Sequence, residues 1–313
     1  MPTLTSYDGT PISYRLLGSG PPLLVVPGGP RASEYLGDLG GLAADVTLIR
    51  FDARGTGDSG LPADEASYAY PRLADDVEAV RRQLGLDRVA VLGHSAGAAV
   101  AQAYASTYPD RVERLILVTP GPQYVGADGA DLPAILAARS AEPWYPEVTA
   151  AFGELFALGP DADPATVLGM LARVAPAGYG AWGPAQRDHA AKAPSQFGLA
   201  AWAGFDRTDE GPAILARLAT VTSPVLVVTG ALDAMAGVAV GDVVAGVFPD
   251  ARHVTLAGAG HYPWVDEPAA FAATVRSFLH LPEPRRETAA PTAAPSAAPT
   301  AVPVAGRRRG PAV

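Results

Sequence analysis

Gly93-His94-Ser95-Ala96-Gly97 is the pentapeptide in this chain that most directly suggests chemistry. A serine between two glycines, placed after the apolar run Val89–Leu92 and before a small-residue helix, has the setting of a nucleophile on a sharp strand-to-helix turn. The glycines matter because larger side chains would crowd so tight a turn. A serine hydroxyl is a weak nucleophile and needs a neighbouring base. The chain offers 5 histidines and no cysteine, so disulfides, thiolate metal sites and cysteine nucleophiles are excluded. Of the five, His94 lies inside the turn, His189 falls in a helical region, His253 belongs to a strand-like run and His280 closes the last helix. His261 sits in Gly258-Ala259-Gly260-His261-Tyr262, directly after an apolar run, where parallel sheets collect functional residues. It is the expected general base. Asp233 follows the run Val225–Val228 and is the expected acid that orients the imidazole. Asp266 and Glu267 are nearer to His261 in sequence but read as the approach to the last helix. A tetrahedral intermediate also needs donors for its oxyanion. The Ala96 N–H, just after the nucleophile, is one expected donor. Gly29 is the other, with Gly28 next, in the loop after Val26.

These residues require a scaffold that brings strand ends together. Short runs of Val, Leu and Ile recur at 23–26, 46–51, 89–92, 115–118, 225–228 and 253–256. Such unbroken runs read as strands buried on both faces of a parallel sheet. Residues 73–84 place Leu73, Val77, Val80 and Leu84 at helical spacing, and 96–108 and 269–279 also read as helices. Strand-helix alternation implies an α/β sheet with right-handed crossovers. Asp8-Gly9 between two strand-like segments is a hairpin signal. Between Thr119 and Ser223 the pattern changes to helices near 134–139, 148–158, 165–174 and 213–219, with Asp163-Pro164 as a cap and first-turn proline. The expected organisation is a core from 1–120 and 221–281, a helical cap at 121–220, and a disordered tail at 282–313. In the tail, Pro291, Pro295, Pro299 and Pro303 recur among Ala, Thr and Ser before Arg307-Arg308-Arg309.

Composition narrows the partners. The hydrophobic fraction is 49% and the charged fraction 18%, which suits a packed enzyme. With 23 basic and 32 acidic residues, the formal charge is -9, and that argues against a broad phosphate-binding surface. The N-terminus has no basic segment followed by an apolar one, and no apolar run reaches the roughly 20 residues that span a bilayer. The expectation is a cytoplasmic protein with a small-molecule or short-peptide substrate, no nucleic-acid or membrane partner, no cofactor and no metal. Oligomeric state is left open.

The residues also resemble a known family. Pro27-Gly28-Gly29-Pro30-Arg31, Asp52-Ala53-Arg54-Gly55-Thr56-Gly57-Asp58-Ser59 and Gly260-His261-Tyr262-Pro263-Trp264 are together similar to the α/β-hydrolase superfamily, and closest to its proline iminopeptidase branch. The resemblance covers roughly residues 4–280 and implies a nucleophile–acid–base order of Ser95, Asp233, His261. It departs from that branch at Pro27, where the branch has histidine, at Arg31, where it has glycine, and in a Gly-His-Ser-Ala-Gly turn common among esterases, lactonases and C–C hydrolases. The implied activity is release of N-terminal residues or hydrolysis of related amides and esters. Carboxylesterase or lactonase action, tailoring of a small metabolite, and a non-catalytic binding module are the alternatives. Epoxide hydrolases and haloalkane dehalogenases of this fold place an aspartate where Ser95 stands. An aminopeptidase would need cap carboxylates to hold the substrate ammonium. Glu142, Glu147, Glu154, Asp206, Asp209 and Glu210 are the candidates, and Trp144, Tyr145, Trp182, Trp202 and Phe205 could line an apolar pocket.

Overall fold

A computed structural model describes residues 2–127, 129–158, 162–202 and 210–281. The expected tail at 282–313, together with Phe205, Asp206 and Asp209, lies outside the described residues. The chain opens with β1 (Thr3–Thr5) and β2 (Pro11–Gly18), an antiparallel pair. Gly9 turns between them at φ 91°, and the Asp8 carboxylate accepts from Thr10 N–H at 3.0 Å. β3 (Pro22–Val26), β4 (Thr47–Phe51), β5 (Val89–His94), β6 (Val112–Val118), β7 (Val225–Gly230) and β8 (Ala251–Leu256) complete an eight-stranded sheet in the order β1-β2-β4-β3-β5-β6-β7-β8. From β4 to β8 every pairing is parallel. This is the expected α/β-hydrolase architecture.

Alternation along the central strands explains their apolar runs. Leu24, Val91, Leu117 and Val227 face one core. It contains α1 (Tyr70–Gln83), α2 (Ala96–Thr107) and, later in the chain, α9 (Gly211–Leu218) and α10 (Ala239–Ala245). Leu23, Leu92, Ile116 and Val228 face the opposite core, against Trp264, Phe271 and Val275. β8 differs from the sequence expectation. It pairs only with β7, and of its residues only Leu256 is buried while Arg252 and Thr255 are exposed, because it is the edge of the sheet. β6 also begins earlier than its apolar run, at Val112, since Glu113 and Arg114 lie where the strand is still only partly covered.

Between β6 and β7 the named elements among the described residues are helical. They are α3 (Leu132–Ala137), α4 (Tyr145–Ala157), α5 (Pro164–Val174), α6 (Pro184–Ala191), α7 (Ala193–Gln196), α8 (Leu199–Trp202) and α9. Asp163 caps α5 by accepting from Thr166 N–H at 3.1 Å. The short α6, α7 and α8 carried no clear periodicity in sequence. After β8 come α11 (Pro263–Asp266) and α12 (Pro268–Leu279). No helix among the described residues is long and apolar enough to cross a membrane.

The motif Asp52–Ser59 is scaffolding. Asp52 Oδ1 accepts from Ser33 N–H at 2.7 Å and Ser33 Oγ at 2.8 Å, while Oδ2 accepts from Asp58 N–H at 3.1 Å. A side chain at Gly57 would place its Cβ 2.2 Å from the Asp52 carboxylate. Arg54 is fully buried and grips Asp76 of α1 through two bonds of 2.8 and 2.6 Å, and Asp8 of the hairpin at 2.5 Å. Ser6 Oγ adds a 2.5 Å bond to Asp76. One guanidinium thus joins the hairpin, the loop after β4 and α1. Removing one partner of such a pair strands a charge in the core. Asp76→Ala is therefore expected to cost about 3–5 kcal/mol in urea unfolding, with the double variant Arg54→Met/Asp76→Leu regaining most of it. A loss under about 1 kcal/mol for the single variant would contradict this role.

Candidate active site

The sheet order places β3 between β4 and β5, so the chain leaves β3 to one side and returns on the other. At such a switch point the loops beyond the strand ends open a crevice. The loop after β3 supplies Gly28 and Gly29 there, and the turn after β5 supplies Ser95. Ser95 sits at φ 54° and ψ −125°, a conformation that side-chain-bearing residues rarely adopt. The flanking glycines permit it. A Cβ on Gly93 would lie 2.3 Å from the Gly97 carbonyl oxygen, and one on Gly97 would lie 2.4 Å from that of Pro27. The turn and the β3 loop are therefore packed backbone to backbone. α2 starts at Ala96, so the unpaired amides of its first turn point out of the helix beside the serine.

His261 follows β8 and Asp233 follows β7. His261 Nδ1 lies 2.8 Å from Asp233 Oδ2, and Nε2 lies 3.0 Å from Ser95 Oγ. Asp233 is fully buried, and its other oxygen accepts from the Met235 and Ala236 amides at 2.8 and 3.0 Å. With a carboxylate at Nδ1, the imidazole proton belongs on that nitrogen, and the Nε2 lone pair faces the serine hydroxyl. The geometry suits proton removal from Ser95. Among the described residues, the Gly29 and Ala96 amides meet no acceptor. Gly28, grouped with them on sequence, is engaged elsewhere: its N–H donates to Tyr35 Oη at 2.7 Å. That bond takes Gly28 out of the candidate oxyanion donors.

Tyr35 belongs to a buried chain that sequence reasoning missed. Its hydroxyl lies 2.8 Å from His94 Nδ1, and His94 Nε2 lies 3.0 Å from the carbonyl oxygen of His261. A carbonyl can only accept, so His94 Nε2 carries the proton and Nδ1 accepts from Tyr35. Thr119 Oγ1 donates to the same carbonyl at 3.1 Å. The β3 loop and the loop of the base are thereby tied through two side chains. Only the burial-prone Gly-His-Ser turn hinted at His94, and nothing in sequence marked Tyr35. His189 is similar: Nε2 donates to the Tyr35 carbonyl at 2.8 Å and Nδ1 accepts from Tyr179 Oη at 2.7 Å. His253 instead bonds Thr229 and Asp242, and His280 ends α12 in a left-handed turn.

Above Ser95 lies a cavity of about 610 Å³. Trp182 and Trp202 line it as expected, with Phe197, Leu168 and Leu171. Trp144 does not; it packs beneath Arg139, whose guanidinium is 4.6 Å from its ring centroid. Tyr145, which opens α4, is also absent from the lining. The expected carboxylates are placed elsewhere too. Glu147 and Glu154 bind Arg173, Glu142 lies 3.8 Å from Arg139, and Glu210 lies 3.8 Å from Arg217. Among the described residues, no Asp or Glu lines the cavity. Asp266, read as a lead into the last helix, accepts from the Gly260 and Gly180 amides at 2.9 and 2.8 Å, joining the base loop to the helical segment.

Burial holds both inner histidines neutral. It pushes His94 well below the usual imidazole value, helped by the nearby His261, and pushes His189 down to about 4. In the unfolded chain these side chains protonate near pH 6.5. Below that the unfolded state binds more protons than the folded state, so stability falls as pH drops from about 6.5 toward 4. An NMR titration of the folded protein is expected to place His189 near 4, and His189→Gln to flatten the loss of Tm over that window. A folded-state midpoint near 6.5 for His189 would show that this ring is not sealed in.

Known proteins are similar to this chain in sequence and fold. A proline iminopeptidase of Heyndrickxia coagulans is 38% identical over 104 residues, which is 33% of this chain and 36% of that protein's length. An esterase from Rhodococcus sp. superposes with a TM-score of 0.69 at 26% identity, covering 89% of this chain and 98% of the other. A hydrolase from Pseudomonas aeruginosa does so with a TM-score of 0.63 at 29% identity, covering 89% and 97%. The family model of the alpha/beta hydrolase fold matches residues 21–268, and with the strand order and switch-point crevice described above it establishes that this chain belongs to the alpha/beta hydrolase fold family.

Proposed function

We propose that this protein is a serine hydrolase of ester bonds, working through an acyl-enzyme, with residues 121–220 forming a cap over the site. The observation that carries this reading is the continuous hydrogen-bond chain Ser95–His261–Asp233 at the floor of the cavity. Ser95 Oγ attacks the substrate carbonyl carbon while His261 Nε2 takes its proton, and Asp233 steadies the imidazolium that forms. The carbonyl oxygen becomes an oxyanion, met by the Gly29 and Ala96 amides. Collapse of the tetrahedral intermediate expels the alcohol, which receives the proton from His261. Water then repeats the sequence on the acyl-enzyme and regenerates Ser95. Ser95→Ala is expected to lower kcat by about 10⁴–10⁶, as triads fail when one member is lost. A fluorophosphonate probe should label Ser95 in the parent and leave the variant unlabelled. Activity of Ser95→Ala within tenfold of the parent would overturn the assignment.

The iminopeptidase-like resemblance favours amide substrates with a free ammonium, but the cavity supports esters instead. A buried ammonium needs an anion, and the described lining offers two arginines, Arg31 and Arg187, and no carboxylate. The likeness to a Rhodococcus esterase points the same way. Alanyl and prolyl arylamides are accordingly expected to react no faster than their N-acetyl forms at neutral pH, and both more slowly than a simple phenyl ester. A free-amine arylamide cleaved more than tenfold faster than its N-acetyl form would restore the peptidase reading.

A further inference from the structure

Arg31 is an unusual cation for its position. It is 7% exposed, yet it lines the cavity beside the Gly29 loop. Its Nε and Nη2 donate to Gln196 Oε1 at 3.1 and 2.8 Å, and its guanidinium lies 4.4 Å from the Tyr35 ring centroid. These contacts fix its direction without neutralising it. Among the described residues no carboxylate pairs with it, and the Tyr262 side chain is its other hydrogen-bonding neighbour. Buried arginines are ordinarily paired, as Arg54 is with Asp76 and Asp8. A second cation, Arg187, stands exposed on α6 and also lines the cavity, held by a 2.8 Å bond to the Trp182 carbonyl. The chain as a whole carries a formal charge of -9, so a cavity whose described lining holds two arginines and no carboxylate runs against its composition.

Resting on the serine-hydrolase reading, we propose that Arg31 is a specificity residue that selects esters bearing a free carboxylate, its guanidinium receiving that group while the apolar part of the substrate lies against Leu168, Leu171 and Phe197. The planar guanidinium is already oriented by Gln196 and Tyr35, so little ordering is needed when the anion arrives. A charge-assisted hydrogen bond in a desolvated pocket corresponds to about 10- to 150-fold in kcat/KM.

The test compares monophenyl adipate with phenyl hexanoate, which have the same acyl length and leaving group and differ in a terminal carboxylate. A second pair, 4-(carboxymethyl)phenyl hexanoate and phenyl hexanoate, places the carboxylate on the alcohol side. The parent enzyme is expected to prefer the charged member of at least one pair by about tenfold or more, mainly through KM. Arg31→Gln should bring that ratio down to near one, and Arg31→Lys should keep part of it. A merely structural Arg31 would lower both esters together and leave the ratio where the parent has it, which overturns the proposal. Equal parent rates for both pairs overturn it as well. Should Arg31→Gln not fold, the parent is tested for competitive inhibition by adipate against hexanamide, where equal inhibition rejects the site. Fluorophosphonate labelling of Ser95 is run on every sample. Labelling without charge preference rejects the Arg31 role alone, whereas an unlabelled parent rejects the underlying hydrolase reading.

Discussion

The site depends first on the strained turn at Ser95. A non-glycine residue at φ 54° costs conformational energy, and it persists because its surroundings leave no alternative. Gly93 and Gly97 let the backbones of β5, α2 and the β3 loop touch, so the turn cannot relax without separating them. This contact lifts the serine hydroxyl clear of the sheet and sets it at the start of α2. The proposed nucleophile and the Gly29 loop therefore meet through one close backbone approach, and the ends of β7 and β8 add Asp233 and His261 beside it.

A second layer keeps these groups in register. Gly28, Tyr35, His94 and the His261 carbonyl form a line of hydrogen bonds in which every proton has a single place. Its two ends are the loop that carries Gly29 and the loop that carries the imidazole. Because His94 stays neutral, the line holds its direction across ordinary pH. A charged His94 would lose its acceptor nitrogen, and Tyr35 would have to turn its hydroxyl proton away. Asp266 performs a comparable task toward the helical segment, using a carboxylate where the inner line uses neutral groups.

Much of this was legible in the residues. The apolar runs gave β3 to β8 because a strand buried on both faces leaves an uninterrupted signature, and the edge strand β8 was the one whose exposure that signature misstated. Ser95, Asp233 and His261, which lie in one line of hydrogen bonds, could be singled out in sequence because each follows a strand and because the chain has only 5 histidines. Other features left no trace in sequence. Tyr35 lies in a short 3₁₀ turn, Ser33–Leu36, whose place beneath Gly28 depends on the crossover from β3 to β4. The segment Asp52–Ser59 contributed to the family resemblance, yet its residues are spent on holding loops together. The acidic residues of the helical segment looked equivalent in sequence. Their pairing with Arg173, Arg139 and Arg217 is a matter of which helix faces meet, and spacing alone does not encode it.

The segment 196–198 is joined to the β3 loop like a short piece of sheet. Ala32 N–H donates to the Gln196 carbonyl at 2.7 Å, Gly198 N–H donates to the Pro30 carbonyl at 2.9 Å, and Arg31 and Phe197 face each other as an antiparallel bridge. The helical segment and the β3 loop thus share one seam. A chimera that grafts another helical segment onto this sheet would replace half of that seam and leave Pro30 and Ala32 with bare backbone groups. Modular exchange of this helical segment is constrained here by two main-chain hydrogen bonds as much as by the shape of the pocket.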